Sequence, residues 1–142
     1  MPTEQKDAIV IGAGLSGICA LYKLRELGLD TLVLEAADDL GGTWFHNRYP
    51  GCRFDSESYT YGYSFSDELL QEWDWSERFA SQPETLRYLN HVADKFDLRP
   101  HMRFSTKVVA MRWDEAADTW ELSLEDGTTL TARFVIGALG LL

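Results

Sequence analysis

Apolar residues fall in short blocks along the chain, and the blocks change period. Ala8-Ile9-Val10-Ile11 is continuous and largely β-branched, which predicts a buried strand over residues 8–12. Leu15, Ile18, Cys19 and Tyr22 then recur at helical spacing, with Leu21 and Leu24 widening the stripe, so a helix is expected over 14–27 and Gly28 ends it. Thr31-Leu32-Val33-Leu34-Glu35 is again nearly continuous and apolar, a second buried strand. Between residues 38 and 66 regular structure is hard to assign. Within it Tyr59, Tyr61, Tyr63 and Phe65 alternate with smaller polar residues, which predicts an extended segment with an aromatic face. That face either packs on the core or walls a site, and periodicity alone leaves both open. Ser81-Gln82-Pro83-Glu84 has the form of a capping box and starts a helix whose face Leu86, Leu89, Ala93 and Phe96 runs to about residue 96. Three strands are expected after it, over about 103–113, 119–125 and 129–136. Asp126-Gly127 is a turn pair, so these strands form an antiparallel excursion whose apolar last strand re-enters the sheet.

Where the first strand meets the first helix, the turn reads Gly12-Ala13-Gly14-Leu15-Ser16-Gly17, a Gly-x-Gly-x-x-Gly run in strand–helix–strand context. Gly12 permits a tight turn, Gly14 lets a pyrophosphate approach the backbone, and Gly17 lets helix and strand pack closely. Glu35 ends the second strand, 21 residues after Gly14, where a carboxylate accepts hydrogen bonds from an adenosine ribose. A carboxylate there disfavours a 2′-phosphate, so the site is expected to hold FAD or NAD rather than NADP. Spacing does not separate those two. The antiparallel insertion before the returning strand favours FAD by analogy with flavoproteins that carry a meander at that point. Gly137 and Gly140 follow the returning strand at its C-terminal end, where open α/β sheets bind ligands.

Composition narrows the class. With 142 residues, 45% of them apolar, the chain can bury one sizeable core, so a single domain is expected. A net charge of −10 without a local Lys/Arg cluster argues against a nucleic-acid surface and leaves the pyrophosphate to backbone N–H groups. No run reaches membrane-spanning length and no secretory leader precedes the first strand, which points to a cytoplasmic protein. Cys19 and Cys52 are too few for a disulfide framework, and Cys19 is expected to be a buried, reduced thiol. His46, His91 and His101 are scattered and no metal-ligand spacing appears. No protein partner is evident. The sequence ends directly after an apolar strand, which reads as the first part of a larger protein.

The stretch Gly41-Gly42-Thr43-Trp44-Phe45-His46-Asn47-Arg48-Tyr49-Pro50-Gly51, with Arg53-Phe54-Asp55-Ser56-Glu57-Ser58 after it, resembles the flavin-proximal segment of Baeyer–Villiger monooxygenases. So do Tyr63-Ser64-Phe65-Ser66, Glu72-Trp73-Asp74-Trp75 and Ser81-Gln82-Pro83-Glu84 through Phe96-Asp97-Leu98. The resemblance implies an α/β, Rossmann-like FAD-binding domain: a parallel sheet with a βαβ unit and an inserted antiparallel β-meander. Residues 1–142 would be its incomplete N-terminal part, with the NADPH-binding domain and the rest of the FAD domain beyond.

The implied activity uses FAD and NADPH to insert one atom of O2 beside a ketone carbonyl, giving an ester or lactone. The expected cofactor set is Gly12, Ala13, Gly14, Ser16, Gly17, Glu35, Gly42, Thr43, Trp44, Asp55, Tyr61, Val108 and Gly140. Asp55 is the expected catalytic residue, orienting an arginine from a later part of the chain. Alanine, leucine and glycine at 138–140 keep the family pattern with a bulkier middle residue. The alternatives are a flavin-dependent N- or S-oxygenase and a non-catalytic FAD-binding fragment; the fragment alone is expected to be inactive.

Overall fold

The computed structural model describes residues 3–141. Six strands form one sheet in the order β3-β2-β1-β6-β5-β4. β1 (Glu4–Ile11), β2 (Thr31–Leu34) and the two-residue β3 (Met102–Arg103) are mutually parallel. β6 (Thr129–Gly137) pairs parallel with the other side of β1, from Glu4↔Leu130 to Ile11↔Gly137. β4 (Val108–Asp114) and β5 (Thr119–Leu124) complete the meander by antiparallel pairing onto the first half of β6. The chain thus leaves β1 in one direction towards β2 and β3 and returns on its opposite side, so the order reverses between β1 and β6.

Alternation along β1 sets two cores. Val10 joins Val33, Ile18 and Leu21 of α1 (Leu15–Glu26), and Leu89, Val92 and Ala93 of α5 (Gln82–Lys95). Ile9 instead joins Leu32, Leu34 and the meander residues Leu122, Leu124, Leu130 and Ala132. The re-entry of the last strand, inferred from its apolar run, is therefore observed. β1 begins four residues earlier than expected, because Glu4, Gln5 and Lys6 pair with β6 although their side chains carry no hydrophobic signal.

α1 closes as Gly28 adopts φ 75°, with Gly28 N–H donating to Arg25 O at 2.9 Å and Leu29 N–H to Leu24 O at 3.1 Å. Three other expectations are corrected. The aromatic alternation is not an extended segment: Ser58–Tyr61 forms a helical turn, α3, leaving Tyr59 exposed while Tyr63 is buried. Four residues are too few to show a helical period. α2 (Thr43–His46) and α4 (Asp67–Glu72) were unassigned for the same reason. The strand expected over 103–113 is two strands, β3 and β4, separated by a connection whose Ser105 has φ 48°. Cys19 is only partly buried, whereas Cys52 is buried; both thiols are free.

The capping box does not close. Ser81 caps α5 through its backbone alone, and the Glu84 carboxylate turns outward from the helix to accept from Ser76 N–H at 2.8 Å and Ser76 Oγ at 2.7 Å. Glu84 is buried, so it pins the segment carrying Trp73 and Trp75 to α5. Glu84→Ala is expected to lower stability by about 2 kcal/mol, since a buried Ser76 N–H loses a charged acceptor. A shifted urea midpoint at unchanged m-value is the check.

Candidate functional site

A cavity of about 610 Å³ opens at the C-terminal ends of β1, β2 and β6, where the strand order reverses. Crevices outside strand C-termini at such a reversal are where open α/β sheets take ligands. Its wall includes Gly12, Gly14, Ser16, Glu35, Gly42, Thr43, Trp44, Tyr61, Val108 and Gly140. Ten of the thirteen expected residues, drawn from six separated stretches of chain, therefore line one space. Ala13, Gly17 and Asp55 do not line it.

Each absence has a local cause. Ala13 is held from both sides of its peptide: its N–H donates to Glu35 Oε2 at 2.7 Å, and its carbonyl accepts from Gly41 N–H at 3.0 Å. Gly17 faces inward, where a Cβ would run into the Gly12 carbonyl. Gly12 itself has φ 106°, and a Cβ there would strike the Ala138 carbonyl of the returning strand. Asp55 is exposed, beside rather than inside the cavity. Its charge nevertheless reaches the site, because it is one of the groups that raise the Tyr61 phenol above its ordinary value, after burial.

The glycines shape the floor. Gly42 has φ 54°, and a Cβ on it would lie 2.9 Å from Gly14 Cα. The two backbones therefore touch, which exposes main-chain groups of both loops without side chains between. The first turn of α1 begins at Gly14 and contains no acidic residue, while Lys23 and Arg25 lie in its last turn. Its free N–H groups and dipole offer an anion a seat without a basic patch.

Glu35 is 8% exposed, and its two oxygens accept from Ala13 N–H at 2.7 Å and Ala37 N–H at 2.8 Å. Those bonds fix the carboxylate at the cavity wall. Each oxygen keeps a second lone pair for a hydroxyl donor. At the other end of the wall Trp44 Nε1–H donates to Tyr61 Oη at 2.8 Å, and Gln82 Nε2–H donates to the Trp44 carbonyl. Phe54 stacks on Tyr61 with ring centroids 4.1 Å apart.

Thr106, Lys107, His46, Asn47, Ala138 and Leu139 also line the cavity and were not singled out from sequence. The signal for the first two was the end of β3, which was hidden inside an over-long strand assignment. A smaller depression of about 450 Å³ between Trp73, Trp75 and Tyr88 holds none of the fingerprint residues.

The arrangement suits an extended ligand bearing a diphosphate in its middle and a ribose at one end. Residues 10–73 match the family model described as an NAD(P)-binding Rossmann-like domain. The chain is 51% identical over 134 residues to 2-oxo-Δ3-4,5,5-trimethylcyclopentenylacetyl-CoA monooxygenase of Pseudomonas putida, covering 94% of this chain and 25% of that protein. It is 47% identical over 137 residues to a Baeyer–Villiger monooxygenase of Pseudooceanicola batsensis, covering 96% of this chain and 25% of that protein. A crystal structure of OTEMO in complex with FAD and NADP superposes with TM-score 0.91 at 49% identity, over 98% of this chain and 26% of that one. Across most of its length, then, the chain is homologous to Baeyer–Villiger-type flavin monooxygenases. It spans about a quarter of the length of the curated relatives it matches.

Proposed function

We propose that this chain is part of the FAD-binding domain of an FAD- and NADPH-dependent monooxygenase that inserts one oxygen atom of O2 beside a ketone carbonyl, forming an ester or lactone. The observation that carries the reading is the single cavity at the β1/β6 reversal shared by ten residues expected to hold the cofactor. The glycine floor and the anchored Glu35 fit FAD: Gly12, Gly14 and Ser16 at the start of α1 take the diphosphate, and Glu35 takes the adenosine ribose. Gly42, Thr43, Trp44 and Tyr61 flank the flavin end, and Val108 and Gly140 complete the wall. When bound, the flavin supplies the redox chemistry by which NADPH and O2 are brought together. The chain's own residues hold it, exclude water with the Trp44–Phe54–Tyr61 cluster, and place the Asp55 carboxylate at the cavity's edge. Asp55 positions the charge of an arginine outside these residues, as the family resemblance implies. NADPH binds in a domain outside residues 1–142, and the substrate is a small ketone met together with O2. Among the described residues no helix is long and apolar enough to cross a membrane, which supports a cytoplasmic setting.

The test is made on the full protein carrying this chain. The cofactor released on denaturation should be FAD, and incubation with a cyclic ketone, NADPH and O2 should yield the lactone. A protein that holds only a nicotinamide nucleotide overturns the cofactor assignment. Oxygenation of a thioether or amine without any lactone replaces the ketone reading with N- or S-oxygenation. Bound FAD without NADPH oxidation leaves a non-catalytic binding module.

Glu35→Gln in that protein is expected to weaken FAD binding about ten- to a hundredfold, the loss of a charge-assisted hydrogen bond. Glutamine also turns one acceptor oxygen into a donor facing a backbone N–H. Unchanged affinity in an equilibrium titration removes Glu35 from the ribose site.

A further inference from the structure

We propose that Tyr61 is a positioning residue for Asp55: Trp44 occupies the Tyr61 hydroxyl oxygen from one side, so that the phenol's single proton is delivered to the Asp55 carboxylate. The inference rests on the assignment of Asp55 above and names the group that holds it.

Three observations carry it. A phenol oxygen has one proton to give and lone pairs to receive with. Trp44 Nε1, which can only donate, occupies an acceptor position at 2.8 Å. The Tyr61 proton must therefore point away from Trp44, and its direction is not left to a freely turning ring. Phe54 stacks on the Tyr61 ring at 4.1 Å and 10°, while Trp44 meets Tyr61 edge-on at 5.9 Å and Phe54 edge-on at 5.8 Å. Gln82 holds the Trp44 backbone in turn by donating to its carbonyl. The clamp is rigid and mostly buried: Trp44 and Phe54 are 6% exposed, and Gln82 is 7% exposed.

Phe54 and Asp55 are neighbours in the chain, so the same stacking that fixes the Tyr61 ring fixes the backbone from which Asp55 projects. Burial, the leading cause, and the Asp55 charge both raise the Tyr61 phenol above its ordinary value, while the Trp44 hydrogen bond lowers it. At neutral pH the hydroxyl is therefore protonated and available as a donor. α3 explains the placement: the helical turn Ser58–Tyr61 brings residue 61 back over residues 54 and 55, which an extended strand would carry away.

Two independent readouts test this. The first needs no cofactor: tyrosine ionisation followed by ultraviolet absorbance against pH, with the Tyr61 contribution isolated by subtracting the titration of Tyr61→Phe. Asp55→Asn should move that ionisation down, because a carboxylate no longer opposes the phenolate. Trp44→Phe should move it up, because the phenolate loses a donor. A Tyr61 ionisation indifferent to Asp55→Asn overturns the proposal. The second readout uses the flavin-loaded full protein. Tyr61→Phe, which keeps the stacking, should lower ester formed per NADPH oxidised about tenfold without releasing flavin. Combining it with Asp55→Asn should cost no more than Asp55→Asn alone. Multiplying effects of the two substitutions would make Tyr61 an independent group and overturn the proposal. Should the full protein hold no flavin, the cofactor reading falls while the titration still decides the Tyr61–Asp55 relation.

Discussion

Gly17→Ala is expected to leave little folded protein. The added methyl would meet the Gly12 carbonyl, a backbone group fixed by the β1 turn and incapable of swinging aside. Gly12 cannot retreat either, because its N–H donates to Leu34 O at 2.8 Å and the Ala138 carbonyl stands behind it. Overpacking of a site that cannot relax costs about 3 kcal/mol, a large part of the total stability of an ordinary domain. A thermal or urea unfolding transition of wild-type midpoint would show that α1 can lift from β1 without penalty. Gly28→Ala is the control. A Cβ at Gly28 meets nothing, so only the strain of its positive φ remains, about 1 kcal/mol. The pair separates steric closure of the fingerprint from the general dislike of side chains at left-handed positions.

The second large effect is chemical. Asp55→Ala in the full protein is expected to keep fold and flavin and to lose most ketone oxygenation, with NADPH oxidised wastefully or slowly. The residue is exposed and outside both cores, so its removal opens no cavity. What goes is the carboxylate that positions a partner charge, and preorganised charge is worth about 10²–10³ in rate at such sites. Wild-type ester yield would exclude the role. Loss of flavin together with a lowered melting temperature would make Asp55 a structural turn acceptor instead.

The elements legible from sequence were those whose burial repeats: β1, α1, β2, α5 and the returning β6 each write a period into their apolar residues. What escaped was held by geometry that leaves no period. α2 and α3 are single turns. β3 contributes only Met102 and Arg103 to the sheet. Glu84 satisfied the capping-box pattern, yet a nearer donor pair on Ser76 captured it. In the site, residues with a steric or charge reason for their identity, such as Gly12, Gly42 and Glu35, were found. Thr106, Lys107 and Leu139 reach the cavity only because of where β3 and β6 end, and nothing in their own chemistry announces it. Asp55 was expected among the cavity residues and lies at its border, since chain proximity to Phe54 does not fix which way an exposed side chain points.

The pairing of β1 with β6 has a consequence for how the molecule comes into being. Glu4 meets Leu130 across 126 positions of chain (130 − 4), and Ile11 meets Gly137 across the same span. Closing a loop of that length costs roughly 4 kcal/mol of chain entropy beyond the constant term, and no contact rewards it until both ends arrive. During synthesis β1, α1 and β2 can assemble early, but one flank of β1 stays unpaired until the last strand has left the ribosome. A nascent chain halted before residue 129 would therefore carry an open, apolar parallel edge, a species prone to aggregate or to need a chaperone. Folding of this segment should accordingly be slow for its size and governed by that single late encounter.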